Sequence, residues 1–244
     1  MKFNFFKLIE DKYKTRLSSK RPVVVRLDGK NICKNPDINM LDESNGGFAY
    51  ALKETANHLS RKFNTLCIAS SDEISILFFK PEILQSMYKK LDCQKVSSLI
   101  SQEVFLNFNN FYSGDNIFFD ARSFNIPDGK SLSYITYRKA SAENISVIYH
   151  AKRLITFKER VELKQAELTK YLDSISDDFR NRSTHNTAGS FYFDGVELSF
   201  DDISCFNDSD DKLFNHLKST ILKKLTSYNS IIDCDDNEDD SLFN

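Results

Sequence analysis

Apolar residues recur along this chain at two periods, and the changes of period mark its elements. Phe48, Leu52, Thr55, Ala56, Leu59 and Phe63 fall three and four apart, which predicts a helix over 43–63. Met87, Leu91, Val96, Leu99, Ile100, Val104 and Phe108 again show helical spacing and predict a helix over 86–111. Phe5 to Leu17 reads as a short amphipathic helix, Ser141 to Arg153 and Glu159 to Ile175 as two more, and Asp211 to Tyr228 as a last one. Strands show as β-branched and aromatic runs. Pro22 to Asp28 (PVVVRLD) feeds a tight DGK turn, and Ile117 to Phe124 (IFFDARSF) is a second strand. Residues 66–70 and 74–79 form a hairpin, and Ser190 to Phe200 turns back at Asp194-Gly195. With only 7 Gly and 4 Pro, the chain favours long regular elements over many turns.

The order is strand, helix, hairpin, helix, strand. It predicts a ferredoxin-like α/β (α+β) palm with an antiparallel sheet of about four strands, followed by C-terminal helices and a hairpin. We expect a catalytic domain over residues 1–160 and a helical and hairpin extension of it over 161–206 that touches RNA. Residues 207–244 would be a C-terminal helix and an acidic tail, its DCDDNEDD run too charged to pack.

Charge sharpens this division. The chain of 244 residues has a net charge of −2, yet residues 201–244 hold 11 acidic and 4 basic residues, leaving a mildly basic body compatible with RNA. The 5 cysteines and 4 histidines are scattered without zinc or redox spacing. No signal peptide or membrane-length apolar run is evident, so a reduced, soluble, cytoplasmic protein is expected.

The chemistry gathers where strands end. In the segment LCIASSDEISILFF (66–79), two adjacent carboxylates, Asp72 and Glu73, interrupt apolar strands. Asp28 ends the first strand, and this topology brings it to the same end of the sheet as Asp72. Converging carboxylates repel unless a cation lies between them. Mg²⁺ suits the place because it needs few protein carboxylates and also takes phosphate oxygens. Two such ions roughly 4 Å apart would serve an in-line phosphoryl transfer. Gly29 allows close approach of the backbone, and the N–H groups of Lys30, Asn31 and Ile32 could cradle a triphosphate, with Lys30 and Lys34 as point charges. Each feature has an ordinary reading beside this one. DG is a turn, SDE a solvated hairpin tip, Asp120 a structural partner of Arg122, and Arg138-Lys139 and Lys152-Arg153 solvated faces. It is their combination, order and spacing that point to catalysis.

The same residues resemble a known family. RPVVVRLDGKN (21–31) and IASSDEISILF (68–78) are similar to the two metal-binding loops of the tRNA-His guanylyltransferases. The resemblance continues through FFDARSFNIP (118–127) and YRKASAENISVIYHAK (137–152). It implies a polymerase-like palm that adds nucleotides to the 5′ end of tRNA, with two Mg²⁺ ions, ATP and GTP as substrates, and a homotetramer. By it, Asp28, Gly29 and Asp72 hold metal, and Arg26, Ser71 and Glu73 are further catalytic residues. The stretch Gly29, Lys30, Asn31, Ile32, Cys33 and Lys34 binds nucleotide, and Arg138, Lys139, Asn144, Lys152 and Arg153 are the candidates for RNA contact. Ile32 and Cys33 stand where the family commonly has an aromatic residue and His. AENISVIYHA stands in place of the eukaryotic HINNLYN. These departures are nearer to the guanylyltransferase-like branch that repairs tRNA 5′ ends by 3′–5′ RNA polymerisation. A palm-fold nucleotide cyclase and a catalytically degenerate nucleotide- or RNA-binding paralogue remain as alternatives.

Overall fold

Val23–Gly29 (β1) is the hub of the architecture, because both of its edges are paired. It lies antiparallel to Glu73–Phe78 (β3) on one side and to Phe119–Asn125 (β4) on the other. The computed structural model describes residues 15–35, 37–88, 91–205 and 209–235, and only the backbone of 33 and 227–235. Leu66–Ser70 (β2) pairs with β3, and the hairpin Ser190–Phe193 (β5) and Val196–Leu198 (β6) extends the sheet beyond β2. The resulting order is β4-β1-β3-β2-β5-β6, with every pairing antiparallel. The first four strands are the expected ferredoxin-like palm. The hairpin, expected as part of an extension of the domain, adds two strands to the sheet.

Alternation along β1 sorts its residues between two cores. Val23, Val25 and Leu27 face the helices Phe48–Phe63 (α1) and Cys93–Phe111 (α3), whose apolar stripes meet with the rings of Phe48 and Phe108 5.1 Å apart. Val24 faces Ser131–Leu154 (α4) through Ile135, together with the C-terminal helix. Between α3 and that last helix come short helices: Phe157–Glu162 (α5), Gln165–Ile175 (α6), Asp177–Arg180 (α7), Thr184–Ala188 (α8) and Phe200–Ser204 (α9). The last helix, Asp210–Asp235 (α10), packs Leu213, Phe214, Leu217 and Ile221 on the second core.

Element boundaries depart from expectation for local reasons. α1 starts at Phe48 rather than 43, because the Asp42 carbonyl accepts from the N–H groups of Ala49 and Tyr50 and so ends the preceding turn. The stretch 86–111 is not one helix. A short helix Glu82–Met87 (α2) precedes α3, and α3 begins afresh where Asp92 accepts from the Lys95 N–H at 3.0 Å. The expected helix 159–175 is also divided, since Thr156 and Glu159 cap α5 and Leu163 is extended. α4 begins at Ser131, ten residues ahead of the expected Ser141. The helix expected over Phe5 to Leu17 falls mostly outside the described residues. Its end is not helical: Arg16 bridges to Asp92 and Leu17 donates to the Leu91 carbonyl. Of the acidic run expected to be disordered, Asp233–Asp235 belongs to α10, and the remainder lies outside the described residues.

Candidate active site

On its second face β1 turns polar toward its C-terminal end, where Val24 gives way to Arg26 and Asp28. Strand register then aligns three carboxylates. Asp28 is directly opposite Glu73 on one side and Asp120 on the other. Asp72 follows in the two-residue turn from β2 to β3, with Ser71 in the left-handed region at φ 55°. A single backbone bond joins the two loops: Gly29 N–H donates to the Asp72 carbonyl at 2.8 Å. A Cβ on Gly29 would lie 3.2 Å from that carbonyl and 2.7 Å from Ile32 Cγ1, so only glycine allows this approach. Asn31, at φ 63°, turns the chain into a 3-10 turn at Ile32–Lys34.

The three aligned carboxylates differ in surroundings. Asp28 is half-exposed, with Arg26 Nη2 3.8 Å from its Oδ1. Asp120 is exposed and pairs with Arg122 at 3.6 Å, the structural partnership expected of it. Glu73 is only 4% exposed, and each of its oxygens accepts from a guanidinium, Oε1 from Arg26 and Oε2 from Arg138. Burial first, and repulsion from Arg26 second, push Arg138 down to about 10, so it stays cationic at neutral pH; Asp28 and Asp72 pull the other way. Next to this cluster the Tyr134 hydroxyl meets Ser75 Oγ at 3.0 Å.

The nucleotide-binding candidates divide between two openings. Asp28, Lys30, Asn31 and Asp120 line a recess of about 570 Å³ with Phe118. Lys34 opens onto a second recess of about 280 Å³, which it shares with Tyr149, Lys152 and Arg153. Ile32 is buried beneath Gly29, and the Cys33 side chain lies outside the described residues. The five RNA candidates do not form one basic stripe. Arg138 is 1% exposed, contrary to its expected place on a solvated basic face, because α4 turns it inward onto Glu73. Lys139 lies over the Phe200 ring at 5.0 Å, and Asn144 is exposed. The inward role of Arg138 was missed, although its spacing from Ile135 and Ala142 places it on the buried face of α4. Tyr134 and Ser75 were missed too, and neither residue type carries a signal by itself.

Among the described residues no group of three or more His, Cys, Asp or Glu side chains is arranged to hold a metal ion. The donors gathered at the strand ends are hard oxygens, the carboxylates of Asp28, Asp72 and Asp120 and backbone carbonyls. The model of tRNAHis guanylyltransferase matches residues 3–127, which contain both loops. The chain belongs to this family. The family is one of nucleotidyltransferases, and its match reaches the end of β4, one helix short of Arg138. Solved structures carry the fold further. A bacterial tRNA(His) guanylyltransferase-like protein in complex with ATP is 21% identical with a TM-score of 0.62, covering 78% of this chain and 87% of its own. The tRNA(His) guanylyltransferase of Saccharomyces cerevisiae is 18% identical with a TM-score of 0.60, covering 78% and 93%. No curated protein sequence matches the chain. No helix among the described residues is long and apolar enough to cross a membrane.

Proposed function

We propose that this chain is a Mg²⁺-dependent nucleotidyltransferase that adds nucleotides in the 3′–5′ direction to the 5′ end of tRNA or tRNA-like RNA. The backbone bond from Gly29 to Asp72 carries the proposal, since it brings two carboxylate-bearing loops to one end of the sheet. Asp28, Asp72 and the Gly29 carbonyl would hold the metal. Two protein carboxylates fit Mg²⁺, which completes its shell with water and phosphate oxygens, and not zinc, which wants N/S ligands. When bound, the ions would neutralise phosphate charge and stabilise the attacking and leaving oxygens.

The chain's own part is positioning. The glycine turn would offer a triphosphate the N–H groups of Asn31 and Ile32 with the Lys30 side chain beside them; the Lys30 N–H, expected in the cradle, is given instead to the Phe118 carbonyl at 2.8 Å, and Lys34 opens onto the second recess. Arg26 and Ser71 shape the two loops, and Glu73 fixes Arg26. Lys152 and Arg153 share a recess with Lys34 and could meet phosphates of RNA or nucleotide. ATP and GTP are the expected nucleotides, in keeping with bacterial neighbours described in complex with each. We extend the proposal to a cytoplasmic homotetramer on the family resemblance alone, and the mass in solution checks the assembly.

The test uses 5′-monophosphorylated tRNA lacking its first nucleotide, with Mg²⁺ and labelled triphosphates. Extension at the 5′ end that disappears in Asp72→Ala supports the proposal. Triphosphate consumed without RNA would favour a cyclase. No activity with either would leave a binding paralogue.

A further inference from the structure

The cations that the structure places among these carboxylates belong to arginines. Arg26 and Arg138 take one oxygen each of Glu73, and Arg26 reaches on to Asp28. Arg138 is the largest fully buried side chain among the described residues. A buried guanidinium is costly unless paired, so its burial here signals a demand for its charge. With Asp28, Asp72 and the Asp120–Arg122 pair, the site sets four carboxylates against three guanidinium groups. Removing Arg138 would add one unit of net negative charge to it.

We propose that Arg138, seated on Glu73, is a positioning residue that gives the Asp28–Asp72 pair a standing counter-charge, holding the carboxylates together with no metal bound and setting how tightly a divalent cation enters. This rests on the metal role proposed for Asp28 and Asp72. Glu73 is then the anchor of the guanidinium groups and not a metal ligand. Its two oxygens are already taken and it is turned away from solvent.

The test is calorimetric titration of the full chain with Mn²⁺ alone, beside thermal unfolding of each variant. Arg138→Met should tighten Mn²⁺ binding about tenfold, the scale of one unit charge about 6 Å from a divalent ion when water screens the pair fully. Arg138→Lys keeps the charge and should stay near the native affinity. Glu73→Gln with Arg138→Met restores the native formal charge and should return to within about threefold. If Arg138→Met does not fold, the comparison moves to the Glu73→Gln background, where no carboxylate is orphaned. There the added Arg138→Met should again tighten binding about tenfold. Unchanged or weaker binding in the Arg138→Met comparison overturns the inference. So does loss of Mn²⁺ in the double variant, which would make Glu73 a ligand. Native binding that Asp72→Asn abolishes but Arg138→Met leaves unmoved sinks the inference alone. Native protein without an Asp72-dependent Mn²⁺ site overturns the metal role and the inference together.

Discussion

Asp28 and Glu73 face each other across β1 and β3, and the same sheet position leaves one half-exposed and the other buried between two guanidinium groups. The pair shows how two carboxylates in the same register can differ, one open to ligand and the other committed to holding its neighbours.

Replacing Asp28 or Asp72 with Asn should lower kcat/KM for 5′ addition by at least about 100-fold, as loss of a metal ligand would. Stability should hold or rise, because the substitution relieves repulsion with neighbouring carboxylates. Steady-state kinetics and a melting curve on the same samples check both halves. Activity within threefold of native in either variant would remove the metal role.

Gly29→Ala makes a different demand. The new methyl would press on Ile32 Cγ1 at 2.7 Å and on the Asp72 carbonyl at 3.2 Å, and neither is the loose end of a long side chain. We expect a loss of about 1–3 kcal/mol in urea unfolding. We also expect at least a tenfold drop in activity at temperatures where the variant stays folded, since the two loops would part.

Phe214→Ala tests the docking of α10. The ring lies 5.7 Å from Phe79 and 5.6 Å from Phe193, centroid to centroid, and it is almost wholly buried. Truncation should cost about 3–5 kcal/mol. A loss below 1 kcal/mol would mean that α10 contributes little to the core.

Acid should weaken the fold through His185. Its Nδ1 meets Ser190 Oγ at 3.1 Å, and burial pushes the imidazole down to about 4, with Glu43 pulling it up and Lys53 down. The unfolded chain therefore binds this proton first, near pH 6.5. The resulting stability is full above pH 6.5 and drains away as pH falls toward 4, by on the order of 3 kcal/mol. Urea midpoints at pH 7 and pH 5 should differ in the native protein and converge in His185→Gln. Burial raises the Glu43 carboxyl, but Ser183 and Lys53 together outweigh it and hold the group low, so it adds to the loss only below its ordinary range near 4.5.

The sheet core was legible because its signals are local. PVVVRLDG could only be a strand with a turn, and the helix stripes of α1 and α3 repeat cleanly. The meeting of Asp28, Gly29 and Asp72 at one end of the sheet was legible for a related reason: each stands at a strand end or in the turn beside it. Arg138 was not, because a basic residue followed by Lys139 looks solvated until α4 is known to begin at Ser131 and to turn that residue inward. The extra strands β5 and β6 were visible as a hairpin, but nothing local says which sheet edge a hairpin will join. Glu73 shows the limit in reverse: the sequence singles it out as a carboxylate between apolar strands, but its partners, 47 and 65 positions away, lay out of reach.

That separation orders the folding of the chain. Glu73 cannot be closed from both sides until β1 has crossed over to β3 and α4, 65 positions onward, has docked. Long-range contacts of this kind wait for loop closure, so the charge cluster should be among the last features completed. A nascent chain stalled before α4 would carry both Asp28 and Asp72, yet Glu73 would have Arg26 alone. On the proposed function, the chain would reach chemical competence only once its second half has been made, even though both aspartates come from its first.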